Sequence, residues 1–399
     1  MLGALSKSTL FTLFASICGY ALTIYLARFG GAESYGAYAY TLGWSLTIST
    51  VVDFGSIQSY SHFAMTLGSR KLALEVVMCI RAIVFGIVIG TATVISVFWG
   101  NYQFLLSSVL ALPVFSLAVI FEFQKQNVWY AKITFFEKMA LLSTNVLLLE
   151  LYGQFEFVYW SYAAIALLSL AYQFQQNSFH LRQLLIFRSD LVRKYLYDYW
   201  AVAFMAVAQL AFGVLSRLVI EHKKGLAAFA YVSLAFQLIA ISSVFQVQVD
   251  RVFRVPFFEA FEQKSLSKII AVTFKYILFT TLPLSMLAFF IFYWSELIVS
   301  VVFGSGFELV SDSLQALSPL LLSVNLMKFA GIFWTALHSN ERGLKLNLVF
   351  SSLMMATLMT LGSDQPISSF LWVIVVFQYT NVALSFIQIL YLTRRYVHG

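Results

Sequence analysis

Hydrophobic positions along this chain come in long blocks, not in the alternation of a half-buried strand. Uncharged stretches of about twenty residues or more recur at 8–27, 199–216, 225–249, 276–295 and 365–393. A helix rises about 1.5 Å per residue, so twenty residues make roughly 30 Å, the thickness of a bilayer hydrocarbon core. Backbone left unpaired in hydrocarbon costs several kcal/mol per group, so each block must satisfy its own peptide groups as a helix. With the short polar breaks taken as turns, the pattern predicts twelve spans. They lie near 8–28, 37–60, 72–98, 104–124, 134–152, 157–179, 197–220, 226–249, 269–294, 314–337, 346–362 and 367–393. The fifth carries Glu137, Lys138 and Glu150, and the eleventh is short; snorkelling ends and tilted neighbours accommodate both. Residues 1–28 have full spanning length with no small-residue cleavage pattern after them, so they are expected to stay as the first helix.

Composition closes off other classes. With 60% hydrophobic and 11% charged residues the chain lacks the polar surface to cover a soluble core of its size. Its net charge of +7 tells a topological story. With the N-terminus inside, the inner segments hold 18 of the 25 Lys and Arg residues, among them Arg70, Lys71, Arg188, Arg193, Lys194, Arg342 and Lys345. The outer breaks hold Lys223 and Lys224, with Arg28 at a boundary. The positive-inside rule then puts both termini in the cytoplasm. No basic patch is left for nucleic acid. Cys18 and Cys79 fall inside spans and read as small buried hydrophobes, while the histidines at 62, 180, 222, 338 and 398 lack any paired spacing for a metal. No cofactor is expected.

The chain divides into two halves of six spans, 1–185 and 197–399, joined by a cytoplasmic linker at 186–196. Residues 180–195, HLRQLLIFRSDLVRKY, alternate basic and apolar residues at helical spacing; they read either as an interfacial amphipathic helix or as a solvated linker. A shift of 189 residues carries Arg28 onto Arg217, Gly36 onto Gly225 and Tyr40 onto Phe229. Six spans between copies preserve orientation, which gives parallel repeats about an axis along the membrane normal. The expected fold is therefore an all-α integral membrane protein of about twelve transmembrane helices. They form two six-helix bundles related by a pseudo-two-fold axis, able to rock about a central cavity.

Charges inside the spans are few. A Lys or Arg at the middle of a spanning helix costs about 2.5–3.5 kcal/mol even on the lenient insertion scale, so it needs water, a counter-ion or a ligand. Lys328 lies deepest, with no acid in its span; Arg28 and Arg217 sit near outer span ends, where snorkelling also accounts for them. Asp53 and Arg81 fall at similar depth across the second hairpin and read as a structural ion pair, the alternative being a carboxylate that couples a proton or Na⁺. The D-F-G string at Asp53 matches a kinase motif, but neither a Gly-rich loop nor an H-R-D segment accompanies it. Pro113, Pro283 and Pro319 lie within spans and are expected to kink them. Trp99, Tyr102, Tyr152, Tyr159, Trp160, Tyr293 and Trp294 cluster at outer ends as an aromatic belt.

Residues 25–64 run L-A-R at 26–28, a turn with Gly31 and Glu33, then Tyr35, Gly36 and Tyr38, and close with D-x-G at Asp53 and Gly55. Residues 301–349 add an F-G-x-x-F turn, Leu-Gln-x-Leu-x-Pro and a basic loop. This pattern resembles the O-antigen and polysaccharide flippases (Wzx type) of the multidrug/oligosaccharidyl-lipid/polysaccharide exporter superfamily, although His62 stands where the pattern has Arg. The resemblance implies a flippase, not an enzyme. Its substrate would be a polyprenyl-diphosphate-linked oligosaccharide, with Arg28, Arg81, Arg217 and Lys328 attracting the diphosphate and the tail left in lipid. Membrane lipids and polysaccharide polymerase or assembly proteins would be its partners. An inside-negative potential of 100 mV would assist outward transfer of two negative charges by about 4.6 kcal/mol. A drug exporter of the same superfamily would instead want acids deep in the cavity. A membrane glycosyltransferase or polymerase would need catalytic acids on an outer loop, where only Glu296, Glu308 and Asp312 of the 295–313 break qualify, in a segment that reads as a solvated loop.

Overall fold

The computed structural model describes residues 2–100, 102–117, 121, 127–177, 188–240, 242, 246, 249, 253, 256–257, 259–337 and 339–398. Lys125, Arg182, Arg251, Arg254, His180 and His338 lie outside the described residues, as do the side chains of His62 and His398. The described chain forms two compact units, Met1–Leu210 and Ala211–Gly399. Every regular element among the described residues is helical, as the hydropathy blocks require.

Unit 1 begins with α1 (Leu2–Asp53), in which Gly31 adopts φ 67° and ψ −177° and so breaks the helix into two spans. Only glycine takes that conformation without steric cost. Then come α2 (Ser56–Leu67), α3 (Arg70–Trp99) and α4 (Tyr102–Leu110). The predicted second span was to run to residue 60, but the helix stops at Asp53 because Phe54 and Gly55 both take left-handed angles (φ 48° and 70°). The D-x-G string thus marks a real helix end. Ser69 caps α3 by accepting the Leu72 N–H, and Gly100 closes it at φ 66°. The fourth predicted span is not one helix: α4 ends at Leu110 and a 3₁₀ turn, Leu112–Phe115, follows. Pro113 lacks the N–H that a continuing α-helix needs. The unit is completed by α5 (Asn127–Tyr152), α6 (Phe157–Gln176) and α7 (Ser189–Leu210). The described end of the amphipathic stretch, from Ser189, is the start of α7 and continuous with the seventh span. Both arms of α1 supply the packing surface for the unit, chiefly against α5 and α4. Its core holds Ile48, Val52, Phe63, Val77, Ile80, Phe115 and Tyr195.

Unit 2 opens on a π-helical turn, Ala211–Leu215, followed by α8 (Ser216–Lys224) and α9 (Leu226–Ala240). Gly225 between them has φ 85° and ψ 177°, nearly the angles of Gly31. The two hairpin turns therefore correspond through Gly31 and Gly225, and that register pairs Gly19 with Gly213 and Tyr35 with Phe229, both fully buried. The 189-residue shift, which set Gly36 on Gly225, followed matching letters and not matching backbone. Next are α10 (Leu266–Val302), α11 (Glu308–Leu317), α12 (Leu320–Ala336), α13 (Asn340–Thr360) and α14 (Ile367–His398). Pro319 bends the tenth span by 43° between α11 and α12, and Tyr379 on α14 donates to the Pro319 carbonyl at 2.8 Å. Pro283 leaves the α10 dihedrals helical; the departure comes at Trp294 (φ −113°, ψ 21°). The core is aromatic, with Tyr276 stacked on Phe329 at 3.9 Å and Phe257, Phe261, Phe333 and Trp334 around them.

Seven helices among the described residues are long and apolar enough to cross a membrane, and the bent α11–α12 pair makes an eighth. The first of these, 7–53, contains the first predicted span and the second as far as Asp53, on either side of Gly31. A broad apolar face of α10, from Phe274 through Leu282 and Met286 to Leu297, is exposed, as a lipid-facing surface must be. The protein is a multi-pass membrane protein.

Candidate functional site

Arg81 and Asp53 come together. The guanidinium is 2% exposed, and its Nη2 donates to Asp53 Oδ1 at 2.5 Å and to Ser56 Oγ at 2.6 Å. Nε reaches the same Ser56 hydroxyl at 3.0 Å, Nη1 reaches the Ser116 carbonyl at 3.3 Å, and Ser56 itself donates to Asp53 at 2.6 Å. The left-handed turn at Phe54–Gly55 ends α1 and delivers Asp53 and Ser56 to the same guanidinium. From Ser116 the bonding continues: its hydroxyl and the Leu117 N–H both donate to Gln173 Oε1, Gln173 to Ser169, and Ser169 to Glu137. One hydrogen-bonded chain thus ties α1, α3, the 3₁₀ turn, α6 and α5 together. A buried charge so completely partnered holds helices in register, which is the structural ion-pair reading.

Arg217 follows the π-helical turn. Its Nε donates to the Gly213 carbonyl at 2.9 Å, a group that the widened turn leaves available, and Nη1 donates to Ser233 at 3.3 Å. The guanidinium lies 5.8 Å and 5.2 Å from the ring centres of Phe229 and Phe236 on α9. These cation–π contacts hold it within the helix pair, where snorkelling would have carried it outward. Arg28 is exposed on α1, one turn before Gly31.

Lys328 is the central residue of the 17-residue α12. Its side chain is exposed, and Nζ donates to Gln246 Oε1 at 3.0 Å. No Asp or Glu lies within α9, α12 or α14. Neutral polar side chains lie on the neighbouring helices. Tyr276 donates to Asn325 at 3.2 Å, and Asn381 donates to Asn347 at 2.9 Å. Asn325 Nδ2, Gln378 Oε1, Asn381 Oδ1 and Ser385 Oγ are buried with no hydrogen-bond partner among the described residues. Leaving such a group unmade costs about 1–3 kcal/mol, so these four, among nine such described atoms in unit 2, are candidates for a ligand or water to satisfy. Gln378, Asn381 and Ser385 are spaced by three and four residues, one face of α14. A search for charges passes over these residues; their helical spacing in an otherwise apolar span was the available signal.

Glu296, Glu308 and Asp312 line one cavity of about 710 Å³ with Ser300 and Ser311. The loop expected at 295–313 is mostly helix, since α10 runs to Val302 and α11 starts at Glu308. The Glu308 carboxylate accepts the Gly306 N–H at 3.0 Å, and this bond and its own N–H lower its pKa below the usual range. Among the described residues no group of His, Cys, Asp and Glu is placed to hold a metal ion.

Neither a protein-family model nor the sequence of a characterised protein matches the chain. Solved structures do. A lipid II flippase, MurJ, in an inward closed conformation is similar with a TM-score of 0.74 at 13% identity, over 96% of this chain and 87% of that one. An inward-facing multidrug resistance transporter of the MATE family, in the MOP superfamily, gives 0.64 at 13% identity, over 96% of both chains. A mutant of the Vibrio cholerae MATE transporter VcmN gives 0.65 at 10% identity, over 97% of this chain and 96% of that one. At such identities the likeness establishes the fold: the chain has the architecture of these membrane transporters.

Proposed function

We infer that the protein is a flippase, not an enzyme. It moves a polyprenyl-diphosphate-linked oligosaccharide, the repeat unit of O-antigen or another surface polysaccharide, from the cytoplasmic to the outer leaflet of a bacterial inner membrane by alternating access. The observation that carries this reading is Lys328, an exposed cation at the midpoint of α12, held by a neutral amide in a unit whose helix interiors offer amides and hydroxyls. An anionic diphosphate suits the lysine. Sugar hydroxyls suit Asn325, Gln378, Asn381 and Ser385, because each lost water contact needs a replacement hydrogen bond. The polyprenyl tail stays in hydrocarbon, where it costs nothing. Arg28 and Arg217 are secondary contacts, and Arg81 serves through the Asp53 pair. A coupling ion, proton or Na⁺, belongs to Asp53 only if the pair opens.

Export of a cationic drug is the second reading, favoured by the likeness in fold to MATE transporters. It would need a carboxylate deep in the site. In unit 1 Asp53 is already neutralised by Arg81, and α9, α12 and α14 carry no acid. The test is flipping of a lipid-linked oligosaccharide in vesicles reconstituted with the purified protein. Lys328→Gln should slow it at least tenfold and Lys328→Arg should retain most of it, with unfolding temperature unchanged because the side chain is exposed. Wild-type flipping by Lys328→Gln would overturn the assignment, and drug-cation efflux without lipid flipping would replace the reading.

A further inference from the structure

Away from the polar interior of unit 2, α13 and α14 border a second cavity of about 480 Å³. Arg342 and Lys345 line it from α13, and Gln388 and Tyr391 from α14. Each pair is spaced by three residues and so shares a helix face. Both basic side chains are exposed, and neither meets a carboxylate within ion-pair distance among the described residues. Glu341 is adjacent to Arg342 and one helical turn before Lys345, yet it forms no ion pair within 4.0 Å with either among the described residues.

The apolar wall continues out of the cavity. Val349 and Leu353 on α13 and Leu384 and Ile387 on α14 are exposed along the same helix pair, in segments that cross the membrane. Two unpaired cations at one end of an apolar strip match one kind of molecule, an amphiphile with an anionic head and hydrocarbon chains. Basic pockets between helices on the cytoplasmic side recognise lipid head groups in this way. The charge pattern assigns Arg342 and Lys345 to that side, which selects the inner leaflet.

We propose that the α13–α14 cavity is a binding site for an anionic glycerophospholipid of the inner leaflet. Arg342 and Lys345 hold the phosphate, Gln388 and Tyr391 hydrogen-bond the head group, and the acyl chains lie along Val349, Leu353 and Ile387. The site is distinct from the Lys328 region and does not depend on what the protein transports. With only one amide and one phenol beside the two bases, it offers little to an oligosaccharide.

Native mass spectrometry of the full chain in mild detergent, titrated with phosphatidylglycerol or phosphatidylcholine, tests the proposal. Phosphatidylglycerol should bind more tightly than phosphatidylcholine. The R342Q/K345Q double variant should weaken phosphatidylglycerol about tenfold and leave phosphatidylcholine unchanged. R193Q/K194Q removes the same charge from exposed positions of α7 and should bind as wild type. Equal binding of the two lipids, unchanged binding by R342Q/K345Q, or an equal loss in R193Q/K194Q would overturn the site. So would displacement of the lipid by millimolar inorganic phosphate, which would make it an anion site, or preference for farnesyl diphosphate, which would give it to the transported lipid. Unfolding temperatures matched to wild type keep each comparison valid.

Discussion

Arg81 in unit 1 and Lys328 in unit 2 carry the same charge in spans of similar hydropathy, and the protein treats them in opposite ways. Arg81 is buried, with a carboxylate, a hydroxyl and a carbonyl arranged around every nitrogen. Lys328 is exposed at mid-helix, with the Gln246 amide oxygen among its partners. A closed set of partners minimises the energy of a charge in low dielectric and leaves nothing for a ligand. An exposed cation stays within reach of an arriving anion. The difference teaches that depth alone does not identify a binding cation; accessibility does.

The sharpest way to break this comparison is to make Arg81 resemble Lys328. Asp53→Ala strands a buried guanidinium, and the expected loss of stability is about 3–5 kcal/mol, read by thermal or denaturant unfolding in detergent. Replacing both partners, Asp53→Leu with Arg81→Met, should recover most of that loss, because the desolvation cost of both charges disappears together. Flipping then separates the two roles of Asp53. A double variant that is stable and active makes the pair structural, whereas one that is stable and inactive makes Asp53 a coupling carboxylate.

A smaller effect should come from the turn that presents Asp53. Gly55 has φ 70°, and a Cβ there would lie 3.0 Å from the Ala203 backbone nitrogen of α7. Gly55→Ala therefore combines left-handed strain with a contact that backbone cannot easily yield, and about 1–2 kcal/mol of destabilisation is expected from the conformation, with the clash adding to it. If unfolding of this variant matched wild type, the turn would not be what fixes Asp53 against Arg81.

How much of this was legible follows from range. Spans were legible because hydropathy over twenty residues is a local property: α3 and α6 start and stop within a few residues of their blocks, whereas the basic ends of α13 and α14 carry the helix beyond the apolar blocks at 346 and 393. The Asp53–Arg81 pair was legible because a hairpin equates depth with distance from the turn. The hairpin glycine was not: Gly31 and Gly36 differ in backbone angle, which identity at a shifted position does not encode. Pro283 against Trp294 shows the same limit, since a helix flanked by others can re-satisfy what proline removes. Gln378, Asn381 and Ser385 escaped because neutral polar residues barely lower the hydropathy of a span, although an unmade hydrogen bond from any of them in its interior is expensive.

The smallest expected effect sharpens the comparison from the solvent side. Glu308 is an exposed charge at the start of α11, and backbone donors dominate its tuning: the Gly306 N–H at 3.0 Å and its own. These bonds favour the ionised form, so the carboxyl titrates below its ordinary range in the folded protein. A depressed folded pKa contributes stability that is complete above the unfolded value and lost as pH falls through the folded one. Glu308→Gln should therefore be slightly less stable than wild type near neutral pH, and the difference should vanish in acid. The two unfolding curves measured across that window check it. A gap that persisted in acid would mean that the side chain acts by shape at the start of α11 and not by charge. The contrast with Asp53 is then quantitative: the same chemical group shifts stability gently where water competes for it and severely where a buried guanidinium pairs with it.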